Sequence, residues 1–312
     1  MDDAIATVEL AKRYGSIVAL RGLTMRVGRG EAFGFLGPNG AGKTTAVKLL
    51  LGLAFPTSGE ARVLGAPLGD LAVRRRIGYL PELFRYQDWL TAREVLGLHC
   101  SLAGVPQAER RAEIDRTLHV VGLEARASSR VGTFSKGMQQ RLGLAVALLG
   151  SPEIVFLDEP TSALDPVGRH DVRRIIETLR ARGTTVFLNS HLLTEVERVC
   201  DRVAFVDAGA VVETGTIADL TRAFASVRLR LQDDAGVAPA LLQRAGRSLR
   251  LADGWHTVDG LVEDDVPQLV ASLVTAGVRV YAVEPQHASL EDRFLELLST
   301  GEPADDRIAD SA

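Results

Sequence analysis

The chain has 312 residues, enough to bury a full core and to divide into two domains, and its 46% hydrophobic and 24% charged content is that of an ordinary globular protein. A formal net charge of −4 offers no clustered basic footprint for nucleic acid, and Cys100 and Cys200 are too far apart for a disulfide framework or a zinc site, which fits a reducing compartment. The acidic Met1-Asp2-Asp3 lacks the basic and apolar regions of a signal peptide, and the longest apolar stretches, such as 142–149, fall far short of the roughly 20 residues needed to span a bilayer.

Residues 5–10 and 17–27 alternate apolar and polar side chains as paired antiparallel strands do, with Tyr14-Gly15 in the turn between them. A lone tyrosine there reads first as a packing residue. Next, the apolar run 32–36 leads into Gly37-Pro38-Asn39-Gly40-Ala41-Gly42-Lys43-Thr44, and a helical pattern follows over 45–53. Strand, glycine loop and helix in that order give G-x-x-x-x-G-K-[ST] the context of a phosphate site. Glycines let consecutive N–H groups converge on phosphate oxygens, and the helix that follows points its positive end at the same place. Lys43 would neutralise the β- and γ-phosphates, and the Thr44 hydroxyl would reach Mg²⁺. The chain has only four lysines among its 36 basic residues, so one at this spot is less readily incidental.

Beyond that helix, Thr57-Ser58-Gly59-Glu60 reads as a turn and Arg62-Val63-Leu64-Gly65 as a short strand. Residues 77–82 read as a buried strand halted by Pro81. The loop at 83–90 holds Phe84, Tyr86 and Trp89 beside Arg85, which suits either a cap over the core or a surface on which a partner docks. From 91 to 149 the pattern is helical, broken at Gly104-Val105-Pro106 and around 122–132, and this makes an all-helical insertion in an otherwise α/β chain. Its last helix begins near Ser135, a plausible N-cap, and Gly137 keeps the first turn open for close approach of a ligand.

Ile154-Val155-Phe156-Leu157 reads as a strand buried on both faces, ending in Asp158, Glu159 and Pro160. Neighbouring strand residues point to opposite sides, so the two carboxylates are expected to hold different tasks at the end of a parallel sheet, where ligands gather. A helix over 167–181 and a strand over 184–188 continue the alternation, and that strand ends at Asn189-Ser190-His191. A histidine at the end of a third core strand has a claim on the γ-phosphate. A hairpin around Asp207-Ala208-Gly209 closes the first domain near Leu220. Residues 227–298 then read β-α-β-β-α-β, the order of a ferredoxin-like domain, and the polar tail 301–312 is expected to be disordered.

Taken together, these residues resemble the ATP-binding cassette (ABC) family, in particular the single-cassette subunits that energise bacterial exporters of the drug-resistance and sodium-efflux type. The likeness spans about residues 5–220 and rests on ordered motifs. Gly37 to Thr44 matches the Walker A loop, Leu157-Asp158-Glu159-Pro160 the Walker B strand, and Phe134-Ser135-Lys136-Gly137-Met138-Gln139-Gln140-Arg141 the signature. Ser162-Ala163-Leu164-Asp165 looks like the D-loop and His191 the switch histidine. The fold implied is a P-loop NTPase core of α/β class, with an antiparallel β subdomain, an all-helical subdomain at about 91–149, and a small α+β domain over 221–300.

The resemblance implies a Mg²⁺-dependent ATPase serving a separate integral membrane permease, peripheral on the cytoplasmic face of the cell membrane. It makes Tyr14 an adenine-stacking residue and places Gly37, Pro38, Asn39, Gly40, Ala41, Gly42, Lys43, Thr44 and Thr45 around the phosphates. Asp158 becomes a metal-side ligand beside Thr44, and Glu159, assisted by His191, the residue that handles the attacking water. Ser135 and Gly137 would clamp the γ-phosphate held by a second copy, and Asp165 would couple the two sites of that homodimer. Two positions depart from the family pattern. Glu82 stands where a glutamine usually meets the metal, and Lys136 interrupts the L-S-G-G-Q form of the signature. A soluble cassette protein acting on ribosomes or DNA is the alternative, but those resemble tandem cassettes or carry coiled-coil or zinc insertions. No nucleic-acid partner is expected. A GTPase switch needs an Asn-Lys-x-Asp segment, which this sequence lacks because its last lysine is Lys136.

Overall fold

The computed structural model describes residues 3–162, 164–222, 226–234, 236–246, 248–261, 263–286 and 289–300. The tail at 301–312 and Ala163 of the D-loop lie outside the described residues. The chain divides after Gly215 into two compact units.

In the first unit, strands β1 (Asp3–Tyr14) and β2 (Ile17–Gly28) pair antiparallel around the left-handed Gly15, as their alternation predicts. Strand β3 (Ala32–Leu36) is followed by helix α1 (Lys43–Leu50), which starts two residues earlier than the apolar pattern suggests because Gly42 takes the left-handed N-cap position. Strand β4 (Ser58–Val63) corrects the expected turn at 57–60: Glu60 pairs with Val8 and Ser58 with Ala11 across a register shift. Gly59 sits at this irregularity with positive φ, where a Cβ would come 2.0 Å from the carbonyl oxygen of Glu9. The Ser-Gly signal therefore marks a β-bulge in a continuing strand. With β5 (Ala66–Pro67) the first sheet has the order β2-β1-β4-β5.

After the short helix α2 (Leu71–Arg74) and strand β6 (Ile77–Leu80) comes the helical insertion: α3 (Ala92–Leu102), α4 (Arg110–Val121) and α5 (Lys136–Ala147). Thr91 and Glu94 form a reciprocal capping box on α3, and Gly122 ends α4 in the left-handed conformation. The chain then alternates through β7 (Ile154–Asp158), α6 (Pro166–Ala181), β8 (Thr185–Asn189), α7 (Leu193–Val199), β9 (Arg202–Asp207) and β10 (Ala210–Thr216).

The second sheet has the order β10-β9-β3-β8-β7-β6, and β9, β3, β8, β7 and β6 run parallel. Every residue of β3, β7 and β8 is buried, which accounts for their unbroken apolar runs. Phe35 and Phe156 pack on Phe187 with ring centroids 5.3 and 5.2 Å away. These four adjacent parallel strands, β3, β8, β7 and β6, present their carboxyl ends side by side, and a ligand site forms at such an edge.

The second unit contains α8 (Ile217–Arg222), β11 (Ser226–Gln232), α9 (Ala238–Ala245), β12 (Ser248–Ala252), β13 (Trp255–Asp259), α10 (Val266–Thr275), β14 (Arg279–Gln286) and α11 (Leu290–Thr300). Its antiparallel sheet has the order β12-β13-β11-β14, the arrangement a β-α-β-β-α-β chain adopts in a ferredoxin-like unit. Val227, Leu229, Leu242, Val258 and Leu273 form its core. Helix α8 packs with α11 in this unit, so the division falls a few residues ahead of Leu220.

Candidate active site

The glycine loop leaves the end of β3 with a backbone that only glycine permits at two places. A Cβ on Gly37 would lie 2.1 Å from the carbonyl oxygen of Val206, and one on Gly42, whose φ is +93°, 2.4 Å from that of Ala19. Lys43, the first residue of α1, is buried, and its ammonium donates to the carbonyl oxygens of Gly37 at 2.7 Å and Pro38 at 3.0 Å. Burial lowers its pKa, against the opposing pull of Glu159, Asp158 and Glu82. A cation held by loop carbonyls and facing three carboxylates sits at the centre of the cradle. The Ala41 N–H donates to the Pro38 carbonyl and closes the turn, while Asn39 and Gly40 stay exposed, Thr44 is exposed and Thr45 half-buried.

On the neighbouring strand ends the two carboxylates separate. Asp158 is the last residue of β7, directly in register with Asn189 of β8, whose side-chain amide donates to its carboxylate at 2.5 Å. The other side-chain atom of Asn189, Oδ1, is buried without a partner. Burial raises the pKa of Asp158, and the charges of Glu82 and Glu159 push it the same way, against the Asn189 hydrogen bond and Lys43. Glu159 follows with φ of +50°, in the left-handed region, so its direction comes from this strained backbone and departs from the simple strand alternation expected of it. Its N–H donates to the Asn189 carbonyl at 2.8 Å, its Oε1 lies 2.8 Å from His191 Nδ1, and the Ser190 hydroxyl donates to its Oε2 at 3.5 Å.

Glu82, just past β6, is exposed, yet its charge reaches Lys43, Asp158 and Tyr79. The Tyr79 hydroxyl is pushed up to about 12, first by burial and then by Asp158 and Glu82. Among the described residues no group of three or more His, Cys, Asp or Glu side chains forms a metal cage. The donors present, the Thr44 hydroxyl and the Asp158 carboxylate with an unpartnered amide oxygen beside it, are hard oxygens. Such a sparse set fits Mg²⁺, which takes one or two protein ligands and completes its shell from phosphates and water.

The remaining residues singled out in the sequence lie elsewhere. Ser135 caps α5 by accepting from the Met138 N–H at 3.3 Å. The nearest atoms to a Cβ on Gly137 would be Leu164 Cδ2 at 3.8 Å and Ser135 Oγ at 4.0 Å, so packing within the chain does not demand a glycine there. Asp165 caps α6 through the Gly168 N–H at 2.7 Å. Lys136 is exposed. Tyr14 is 46% exposed, with the Lys12 ammonium 4.8 Å from its ring centroid. Asn189 and Ser190 are assigned no role from the sequence, and Gln140, named there only as part of the signature, donates its amide to the Pro160 carbonyl at 2.9 Å and ties α5 to the turn after Glu159. Asn189 and Ser190 could have been found only from the register that sets β8 beside β7.

Residues 20–162 match the ABC transporter family model. Over 300 residues the chain is 38% identical to an uncharacterized ABC transporter ATP-binding protein of Nostoc sp., covering 93% of this chain and 88% of that relative. The chain belongs to the ABC transporter ATP-binding proteins. It is also 35% identical to a bacitracin transport ATP-binding protein of Bacillus licheniformis, over 96% of this chain and 99% of the relative. A Nod factor export ATP-binding protein of Burkholderia thailandensis is 36% identical over 93% of this chain and 95% of its own length.

Among solved structures, an ATP-binding subunit of an ABC transporter aligns with TM-score 0.64 and 33% identity, over 70% of this chain and 92% of that one. A dimeric ATP-binding cassette in a post-hydrolysis state, bound to ADP and Pi, aligns with TM-score 0.62 and 27% identity, over 68% of this chain and 98% of that one. This ABC subunit thus binds nucleotide and is an ATPase that energises a membrane transporter. Among its described residues no helix is long and apolar enough to cross a membrane, and its family role implies a membrane partner.

Proposed function

We propose that this ABC subunit hydrolyses ATP with Mg²⁺ between two copies of itself and drives export through a separate integral membrane permease, docked on the cytoplasmic face of the membrane. The observation that carries the reading is the convergence of Lys43, Asp158, Glu159 and His191 on the carboxyl ends of adjacent parallel strands. Lys43 exchanges its loop carbonyls for phosphate oxygens. The N–H groups of 39–45 cradle the same charge at the start of α1. Thr44 and Asp158 hold the metal, with Glu82 near enough to shape its field; when bound, Mg²⁺ offsets the charge that develops on the phosphates.

Glu159 orients the attacking water and accepts its proton, and Ser190 and His191 hold the carboxylate in place. Tyr14 stacks the adenine. Ser135 and Gly137 approach the γ-phosphate of the other copy, which explains an open glycine that packing does not require. Asp165, at the start of α6, meets that other copy as well. The dimeric relative with ADP and Pi supports the two-copy arrangement, and relatives named for bacitracin transport and Nod factor export support an exporter.

The test is reconstitution. The subunit should copurify with one membrane protein, and vesicles holding both should move substrate out of the ATP-accessible compartment only with ATP and Mg²⁺. Movement toward that compartment would overturn the direction, and a partner that is ribosomal would overturn the transport reading.

A further inference from the structure

The Tyr14 ring stands partly exposed at the β1–β2 turn, with the ammonium of Lys12 over one face, 4.8 Å from the ring centroid. Lys12 is itself tied down: its Nζ donates to the carbonyl oxygen of Phe55 at 2.7 Å. The strand segment carrying it is anchored on both sides of the lysine. The Ala11 carbonyl accepts from the Thr57 N–H at 2.8 Å, and the Arg13 N–H donates to the Thr57 hydroxyl at 3.0 Å. Phe55 and Thr57 therefore fix a cation on one face of a half-exposed aromatic ring.

From this geometry we infer that Lys12 is a positioning residue for the base of the nucleotide. It holds the Tyr14 ring in one orientation and blocks one of its faces, so that the base stacks on the other. This rests on the adenine-stacking role proposed for Tyr14 and adds what sets that ring in place. The physics has two parts. A surface tyrosine free to rotate loses side-chain freedom when a base stacks on it, and a ring already clamped by a cation has lost that freedom beforehand. An ammonium over the ring centroid is also attracted to the π-face, which favours this rotamer over ones that swing the ring into water. The Lys12 ammonium is engaged by the Phe55 carbonyl and the Tyr14 ring, so its effect is expected on the base half of the ligand alone.

Two ligands separate the halves: ATP, which has a base, and inorganic tripolyphosphate, which has only the charge. Both are titrated by calorimetry, with Mg²⁺, into the full chain. Lys12→Met keeps the aliphatic stem and loses the cation, and ATP should bind about two- to five-fold more weakly, the value of an exposed cation–π contact. Tripolyphosphate affinity should not change. Lys12→Arg, which can both donate to the Phe55 carbonyl and lie over the ring, should restore ATP binding. In a Tyr14→Ala background Lys12→Met should have no further effect, since the two act as one unit.

An equal loss for both ligands would make Lys12 a structural or phosphate-side residue and overturn the inference, as would ATP affinity in Lys12→Met equal to that of the unaltered chain. Tyr14→Ala alone should weaken ATP by about tenfold, as loss of a stacking platform does. If it leaves ATP affinity intact, the stacking role of Tyr14 fails, and the inference with it. If Tyr14→Ala weakens ATP and Lys12→Met does not, only the inference fails.

Discussion

Glu159 Oε1 and His191 Nδ1 lie 2.8 Å apart, joining the residue after β7 to the second residue after β8 across the edge where the glycine loop also begins. A carboxylate can only accept, so Nδ1 carries the proton in this pair. One carboxylate and one imidazole thus orient each other beside the cradle. His191→Ala is expected to leave nucleotide affinity within a few-fold and to lower steady-state ATP hydrolysis by about 10- to 100-fold, because Glu159 keeps its place less well. A phosphate-release assay beside a binding titration checks it.

Lys43 is expected to dominate binding. Its ammonium already lies in the cradle on the Gly37 and Pro38 carbonyls, close to where the triphosphate charge would settle. Lys43→Ala removes the one lysine of the loop and is expected to weaken ATP by at least about 100-fold, since charge-assisted contacts to phosphate are lost together. Unchanged affinity in calorimetry would contradict the phosphate role of the loop.

Asp158 is held at a cost to the nucleotide-free fold. Burial raises its pKa, so ionisation is harder in the folded chain than in the unfolded one. A raised folded pKa means a contribution that is fully present below the unfolded value and is lost as pH rises through the folded value. Asparagine cannot ionise, and its amide could satisfy the buried, partnerless Oδ1 of Asn189. Asp158→Asn is therefore expected to melt higher than the unaltered protein near neutral pH without nucleotide, with the margin shrinking toward about pH 4. The same variant should lose Mg²⁺-dependent ATP affinity. Thermal melts at the two pH values, with and without Mg²⁺ATP, test both halves.

The core strands were legible because full burial leaves one signature, an apolar run such as Ile154 to Leu157 that no surface strand carries. The glycine loop was legible because its backbone excludes side chains at Gly37 and Gly42. Three features were not. Gly59 gave the same local signal as a turn, and only its pairing partner on β1 makes it a bulge. The left-handed backbone of Glu159 has no marker in a run of Asp-Glu-Pro, and the carbonyl its N–H meets, that of Asn189, is distant in sequence. Asn189 reaches Asp158 through strand register, which the order β8-β7 creates and the residues of either strand alone do not encode.

The aromatic loop divides under the same scrutiny. Tyr86 packs between Phe84, 5.4 Å away, and His99, in edge-to-face contact at 5.7 Å, and burial raises its hydroxyl pKa, whereas Trp89 is 71% exposed. Of the three aromatics of this loop Trp89 alone is exposed, and we propose it as the one that docks on a permease. Tyr86→Ala is expected to destabilise the subunit by about 2–3 kcal/mol. Trp89→Ala should leave its melting temperature and the ATPase rate of the isolated subunit unchanged while uncoupling transport in the reconstituted pair. Equal loss of stability in both variants would return Trp89 to the core.

The sharpest test sets the two carboxylates against each other. The Glu159 carboxylate contacts Ser190 and His191, and the Asp158 carboxylate contacts the Asn189 amide, so the two side chains have different partners. Glu159→Gln preserves shape and keeps an oxygen for His191, while the group that would accept the proton of water is gone. Hydrolysis should fall by roughly two to four orders of magnitude with ATP still bound. Bound ATP that cannot be hydrolysed should accumulate between two copies, so light scattering should report a shift from monomer to dimer on adding ATP and Mg²⁺. Asp158→Asn acts on affinity itself and should give no such locked dimer. If Glu159→Gln hydrolyses ATP at the unaltered rate, the base lies elsewhere, and Glu82, whose charge reaches the same cluster, is the next residue to change.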